Sequence, residues 1–201
     1  FWVRVPGGVH DRNPRPPAWG SVVLRPAQLL EVGEHLIDLG HERIALVGGL
    51  PASQAGRRRH SGFWRAVDEA GIDASGIMET DLGFGLQQGE RAIEELMSAD
   101  VPPTGAVVAS INSAVGALSR CRSLDVAVPG DLSVVGIHDC WVTASLSPPL
   151  TVVRLPLYEV GVKAVHALVG RLDGDAPGDV QVDGAPELIV RESTTIPRPS
   201  V

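Results

Sequence analysis

The segment 128–139 reads VPGDLSVVGIHD, and its last two residues, His138 and Asp139, followed by Cys140, are the side chains best placed to do chemistry. An imidazole can donate, accept or carry charge near neutral pH, a carboxylate accepts, and a thiol can attack or ligate. They follow a continuous apolar run from Leu132 to Ile137 that reads as a buried parallel strand. In an open α/β sheet, ligands bind beyond the carboxyl ends of the strands, so this tip is the candidate site. Adjacent strand residues point to opposite faces, so His138 and Asp139 are not expected to act on one ligand atom together. Zinc needs three or four convergent ligands, and no His/Cys cluster supplies them; neither a metal nor another cofactor is expected. A histidine beside an aspartate is no triad without an aligned nucleophile, and GxSxG, GxxxxGK[ST] and HExxH are all missing from the sequence. Gly48-Gly49 after a strand is a weak match to a dinucleotide loop, without a third glycine and an acidic residue at useful spacing. The chain is not expected to be an enzyme.

The elements that must carry this tip repeat as a helix followed by a strand. Leu29, Leu30, Val32, Leu36, Ile37 and Leu39 take helical spacing over 27–39, Gly40 is placed to end that helix, and 43–47 supplies a strand stopped by Gly48-Gly49. A second helix is expected over 55–70, stopped by Gly71, with a strand near Ile77. A third covers 87–98 and, after Pro102-Pro103, feeds a strand over 106–109; a fourth covers 113–124 and leads into the strand at 132–137. Four such units in series argue for an open parallel sheet with helices on both faces, because right-handed crossovers place them there. Residues 1–20, rich in Pro, Gly and Arg, read as irregular connection, with a possible short strand at 22–24. After Pro156 a helix is expected to Leu172, then a polar stretch over 173–186 and a last strand over 188–190.

Composition narrows the class. With 201 residues, 44% hydrophobic and 20% charged, the chain can bury a sizeable core in one domain or one and a half. A net charge of −7 gives the whole chain no basic face for gripping a phosphate backbone, so nucleic acid would have to be held by another segment. Cys121 and Cys140 form no CxxC pair and read as reduced thiols of a cytosolic protein. No apolar stretch approaches the roughly 20 residues that span a bilayer, and residues 1–6 lack the apolar core of a signal peptide. A cytoplasmic location without a membrane partner is the expectation.

HLIDLGHERIALVGG at 35–49, the spaced Arg59, Gly62 and Phe63, SAVGAL at 113–118, VPGDLSVVGIHD at 128–139, PPLTVV at 148–153 and ELIVREST at 187–194 together resemble the lactose-repressor family of bacterial transcription regulators. The resemblance is to that family's effector-binding region and covers roughly residues 22 to 196 in the family's order. It implies a fold like that of periplasmic sugar-binding proteins of type I, with two α/β lobes, a ligand cleft between them and a homodimer. Carried over by position, it implies that 1–24 is a remnant of the amino-terminal lobe with a crossover, that 25–153 forms the carboxyl-terminal lobe nearly complete, that 154–185 is a helix and crossover of the other lobe, and that 186–201 returns as a strand. The family's helix-turn-helix and hinge are not in this sequence, so operator DNA would be reached only through such a missing domain.

The resemblance also assigns candidate ligand-binding residues, namely Arg59, Phe84, Ser110, His138 and Asp139. Arg59 matches the family's cleft arginine, which would make a forked contact with a hydroxyl or carboxylate. The bland alternative is a solvated basic face shared with Arg57 and Arg58. Phe84, five residues before Gly89, matches an aromatic wall suited to a sugar or a purine, and it reads equally well as core. His138 takes the place of the first of two acidic residues, and a histidine there can donate or become cationic, which inverts what the site prefers. Ser110-Ile111 replace an Asn-Asp pair, Leu155 a polar residue, and Arg25-Pro26 an Asp-Asn pair. His41 belongs to the family's GH turn and reads as structural. These departures point away from a neutral hexose; a sugar-like, purine-like or anionic effector stays open. The expected function is effector sensing and dimerisation in a transcription regulator. The alternative, which shares the fold, is a solute-binding protein of a sugar transport system.

Overall fold

Successive side chains of a strand point to opposite faces, and here both faces are apolar, which calls for a layer of helices on each side. A computed structural model describes residues 22–24, 30–48, 54–80, 83–175, 180–182 and 184–198. In chain order its elements are β1 (Val22–Leu24), α1 (Leu30–Asp38), β2 (Ile44–Val47), α2 (Gln54–Ala70), β3 (Ile77–Thr80), α3 (Leu86–Met97), β4 (Gly105–Val108), α4 (Ile111–Ser123), β5 (Ser133–Ile137), β6 (Thr151–Arg154), α5 (Leu157–Leu172), β7 (Val180–Val182) and β8 (Glu187–Ile189). By compactness the chain divides into two units: Pro26–Leu155 with Pro186–Val201, and a smaller one holding β1, α5 and β7.

In the larger unit the sheet runs β3-β2-β4-β5-β6-β8. Ala45, Val47, Ala106, Val108, Val134 and Val152 enter one core with Ala92, Ile93 and Leu96 of α3 and Ala114, Ala117 and Leu118 of α4. Ile44, Leu46, Val107, Val135, Ile137 and Val153 enter the other with Leu36 of α1 and Phe63 and Val67 of α2. All five residues of β5 are buried, so the strand that ends at His138 is held from both sides. Helices α3 and α4 pack backbone to backbone: a Cβ on Gly89 would overlap the Ser113 carbonyl, and one on Gly116 would overlap the Leu86 carbonyl. Only glycine fits at that approach.

His41 is 2% exposed and fully engaged. Its Nε2 donates to the Thr195 carbonyl at 2.9 Å, and Nδ1 lies 2.8 Å from Thr104 Oγ1. The carbonyl fixes the tautomer, so the Thr104 hydroxyl donates to Nδ1 of the neutral ring. Burial holds the imidazole below its ordinary pKa. The residue ties the α1–β2 turn to the carboxyl-terminal segment.

In the smaller unit β1 pairs in parallel with β7, and Val160 of α5 and Val182 of β7 are buried. No described helix is long and apolar enough to cross a membrane.

Two features differ from the sequence expectation. The open parallel sheet is as expected, but its last strand joins antiparallel to β6, with Val153 opposite Leu188, a direction the sequence reading does not give. The reason is topological: the chain leaves this unit at Leu155 and returns at Pro186 beside the same end of β6, so β8 runs back along it. Strand β7 lies inside the stretch 173–186, where only a polar segment was expected; three residues flanked by Asp and Gly carry too short an apolar signal to stand out. The irregular connection expected over 1–20 and the Arg25-Pro26 departure lie outside the described residues.

Candidate functional site

The carboxyl ends of β4 and β5, with α2 and the turn before α3, carry the candidate residues. Arg59 projects from α2 onto Phe84, its Cζ 5.1 Å from the ring centroid, a cation–π distance. It is half-buried, and burial lowers its pKa without approaching loss of charge. Among the described residues it has no carboxylate partner.

Ser110 supports this pair from below. It caps α4, accepting from the Ser113 amide at 3.1 Å, and its hydroxyl lies 2.8 Å from the Phe84 carbonyl, to which it donates. A serine just past β4 thereby starts a helix and anchors the aromatic turn. The Ser113 hydroxyl, 3.0 Å away, adds to the same cluster, which leaves Ser110 little capacity for a ligand.

His138 follows β5 with φ +88°, in the left-handed region that non-glycine residues rarely adopt. Its amide donates to the Val153 carbonyl at 2.8 Å, which keeps the strand pairing beyond Ile137. Its Nδ1 is buried and has no hydrogen-bond partner among the described residues. Burial lowers the imidazole pKa, the Asp139 charge opposes that, and the Arg59 charge adds to it. The ring is therefore neutral at pH 7, and Arg59 is close enough to matter. Backbone strain at a strand tip is the kind of feature that clusters at functional positions.

Asp139 is turned to other partners. Its Oδ1 accepts from Arg191 Nη2 at 3.0 Å and from the Thr143 hydroxyl, and its Oδ2 accepts from Arg154 at 2.8 Å. Burial opposes ionisation, but these hydrogen bonds and the Arg191 charge outweigh it and hold the carboxyl at about 2. Arg191 also donates to the Leu150 carbonyl at 2.7 Å, so the carboxylate braces the loop 139–150 against β6 and the segment after β8. The structure thus brings Arg59, Phe84, Ser110 and His138 to one edge and commits both oxygens of Asp139 to that brace. Thr143, Arg154 and Arg191 were not singled out in the sequence. Arg191 sits inside the ELIVREST string, and only the β6–β8 pairing discloses its partner. Among the described residues no group of three or more His, Cys, Asp or Glu side chains could hold a metal ion.

Helices on both faces of a largely parallel six-stranded sheet with one antiparallel edge strand are the architecture of a periplasmic-binding-protein-like domain. The chain belongs to the LacI family of transcriptional regulators, and the periplasmic binding protein-like domain model matches residues 33–194. A crystal structure of a LacI family transcriptional regulator from Mycobacterium smegmatis is 39% identical, with TM-score 0.82 over 91% of this chain and 68% of that one. The dimeric Lac repressor with an 11-residue C-terminal deletion is 26% identical, with TM-score 0.77 over 89% of this chain and 65% of that one. The regulator MalR of Streptomyces coelicolor is 37% identical over 165 residues, 80% of this chain and 47% of MalR. The repressor CytR of Escherichia coli K12 is 32% identical over 162 residues, again 80% of this chain and 47% of the relative. The chain spans about half the length of the curated relatives it matches. The transport alternative is set aside, since these relatives are transcriptional regulators.

Proposed function

We propose that this chain is the effector-sensing and dimerising region of a cytoplasmic transcription regulator, without enzymatic activity of its own. A small molecule is held at the carboxyl edge of the larger unit's sheet, with Arg59 contacting its polar side, Phe84 its flat or apolar face, and His138 a further polar group. Ser110 and Asp139 position these residues, the first through the Phe84 turn and the second through the loop after His138. Ligand binding shifts the population of conformers, and that shift reaches operator DNA through a DNA-binding domain outside this sequence. In a symmetric dimer the same shift changes the spacing of two such domains.

The observation that carries this reading is Arg59 stacked on Phe84 with no carboxylate partner among the described residues. A structural arginine at this depth would be expected to hold a counter-ion, as Arg191 holds Asp139. The test is calorimetric titration of ligands found in a thermal-shift screen. Arg59→Ala and Phe84→Ala should each weaken binding about 10- to 100-fold while far-UV circular dichroism stays unchanged. Unchanged affinity in both variants would place the ligand elsewhere.

A further inference from the structure

The described charges around the β5 tip do not balance. Arg154 and Arg191 share Asp139, and Arg154 also reaches Glu187, so two guanidinium groups meet two carboxylates. Arg59 is left over. On the same helix the exposed Arg65 has Glu69 at 2.9 Å, whereas the more buried Arg59 has only the Phe84 ring among the described residues. Among the described residues the tip thus carries an excess positive charge, in a chain whose net charge is −7. The second observation is His138 Nδ1, a buried polar atom without a partner among the described residues, on a backbone held at φ +88°. Buried polar atoms are nearly always paired, so such an atom at a strand tip points to a missing partner.

We propose that the effector carries an acidic group, a carboxylate or a phosphate, which pairs with Arg59 and draws a proton onto His138. This rests on the reading of the β5 tip as the effector site and specifies its ligand. The Phe84 ring, 5.1 Å from Cζ, restricts where the guanidinium can lie, and the planar fork of an arginine suits two oxygens of one acid better than a single hydroxyl. His138 supplies the coupling. In the free protein burial and the Arg59 charge keep it neutral, with Asp139 acting the other way. An anion seated on Arg59 cancels that repulsion and raises the pKa of the imidazole, so the complex takes up a proton. Affinity for the acid therefore rises as pH falls through the bound-state pKa and levels off below the free one. The other charged groups facing the ring do not supply this change. Asp139 stays ionised on Arg154, Arg191 and Thr143, and Arg154 is shared with Glu187.

The test is a panel of acids, each with its neutral counterpart: sugar phosphates and uronates against the parent sugars, and nucleoside monophosphates against nucleosides. They are titrated into the full chain in buffers of different ionisation enthalpy between about pH 5.5 and about pH 8. The acidic member of a pair should bind at least about 10-fold more tightly than the neutral one. Arg59→Gln should abolish that preference, Arg59→Lys should keep part of it, and Arg65→Ala should leave it intact. With the uronates, which carry no group that titrates in this window, proton uptake should be measurable on binding and vanish in His138→Asn, a substitution that tolerates the left-handed backbone. A neutral ligand that binds as tightly as its acid, and still depends on Arg59, overturns the anionic ligand and leaves the site. Acid binding that needs Arg59 without proton uptake removes the role of His138. If no pair binds, or binding ignores both Arg59→Gln and Phe84→Ala, the site reading fails and takes this proposal with it.

Discussion

Asp139→Asn separates a brace from a ligand contact. The wild-type carboxyl is held at about 2 against an ordinary 3.8, a difference that corresponds to about 2.4 kcal/mol of ion-dependent stability. Arg154 is 50% exposed, so solvent screens its share, and about 1–2 kcal/mol is the expected loss in the variant. An asparagine can still accept from Arg191, but its amide group presents hydrogens to Arg154, which has only hydrogens to give. A carboxyl whose pKa is lowered in the folded state contributes stability above its unfolded pKa, and that contribution fades as pH falls towards its folded pKa. The difference between wild type and variant should thus be constant from pH 7 to about pH 5 and shrink steadily below about pH 4. Urea unfolding followed by tryptophan fluorescence reads this directly, because half-buried Trp64 lies in α2 of the same unit. A loss at pH 7 smaller than about 0.5 kcal/mol, the range of an ordinary surface change, would refute the brace. Unchanged stability with lost ligand affinity would return Asp139 to the ligand.

Gly116→Ala should destabilise the larger unit by about 1–3 kcal/mol, because α4 must move off the Leu86 carbonyl; a drop in urea midpoint with an unchanged slope checks it. The Cys121 thiol, pushed up to about 11 by burial, should stay unmodified by a thiol-specific disulfide reagent at pH 8 while half-buried Cys140 reacts; equal rates would mean that the α4 core opens readily.

The layout of the larger unit was legible because its strands are continuous apolar runs and its helices stop at residues such as Gly40 and Gly71, which lie at φ +92° and +66°. The strand direction of β8 was not legible. Nothing in ELIVREST encodes orientation, which follows from where the chain re-enters the unit. At the site, the tip position of His138 and Asp139 followed from the strand pattern, but their different engagements did not. Opposite facing of neighbouring residues was anticipated; that one would be fully bonded and the other left with a bare nitrogen depends on Thr143, Arg154 and Arg191, which come from three separate stretches. For Arg59, the resemblance gave the position, while the lack of a carboxylate partner among the described residues is a fact of three dimensions.

The late arrival of β8 has a consequence for the protein as it is made. Val134 donates to the Ser193 carbonyl at 2.8 Å, the Ser193 hydroxyl accepts from the Thr151 amide at 2.8 Å, and buried His41 donates to Thr195 at 2.9 Å. None of these partners exists when β6 leaves the ribosome. At about 5–20 residues per second, the stretch between Leu155 and Pro186 takes about 2–6 s to synthesise. During that interval the nascent sheet has an open edge at β6, and the Val134 amide, the Thr151 amide and the His41 ring lack the partners they have in the finished fold. Because β8 and its tail complete the unit, a chain interrupted before Pro186 should be cleaved by a protease faster than the full chain.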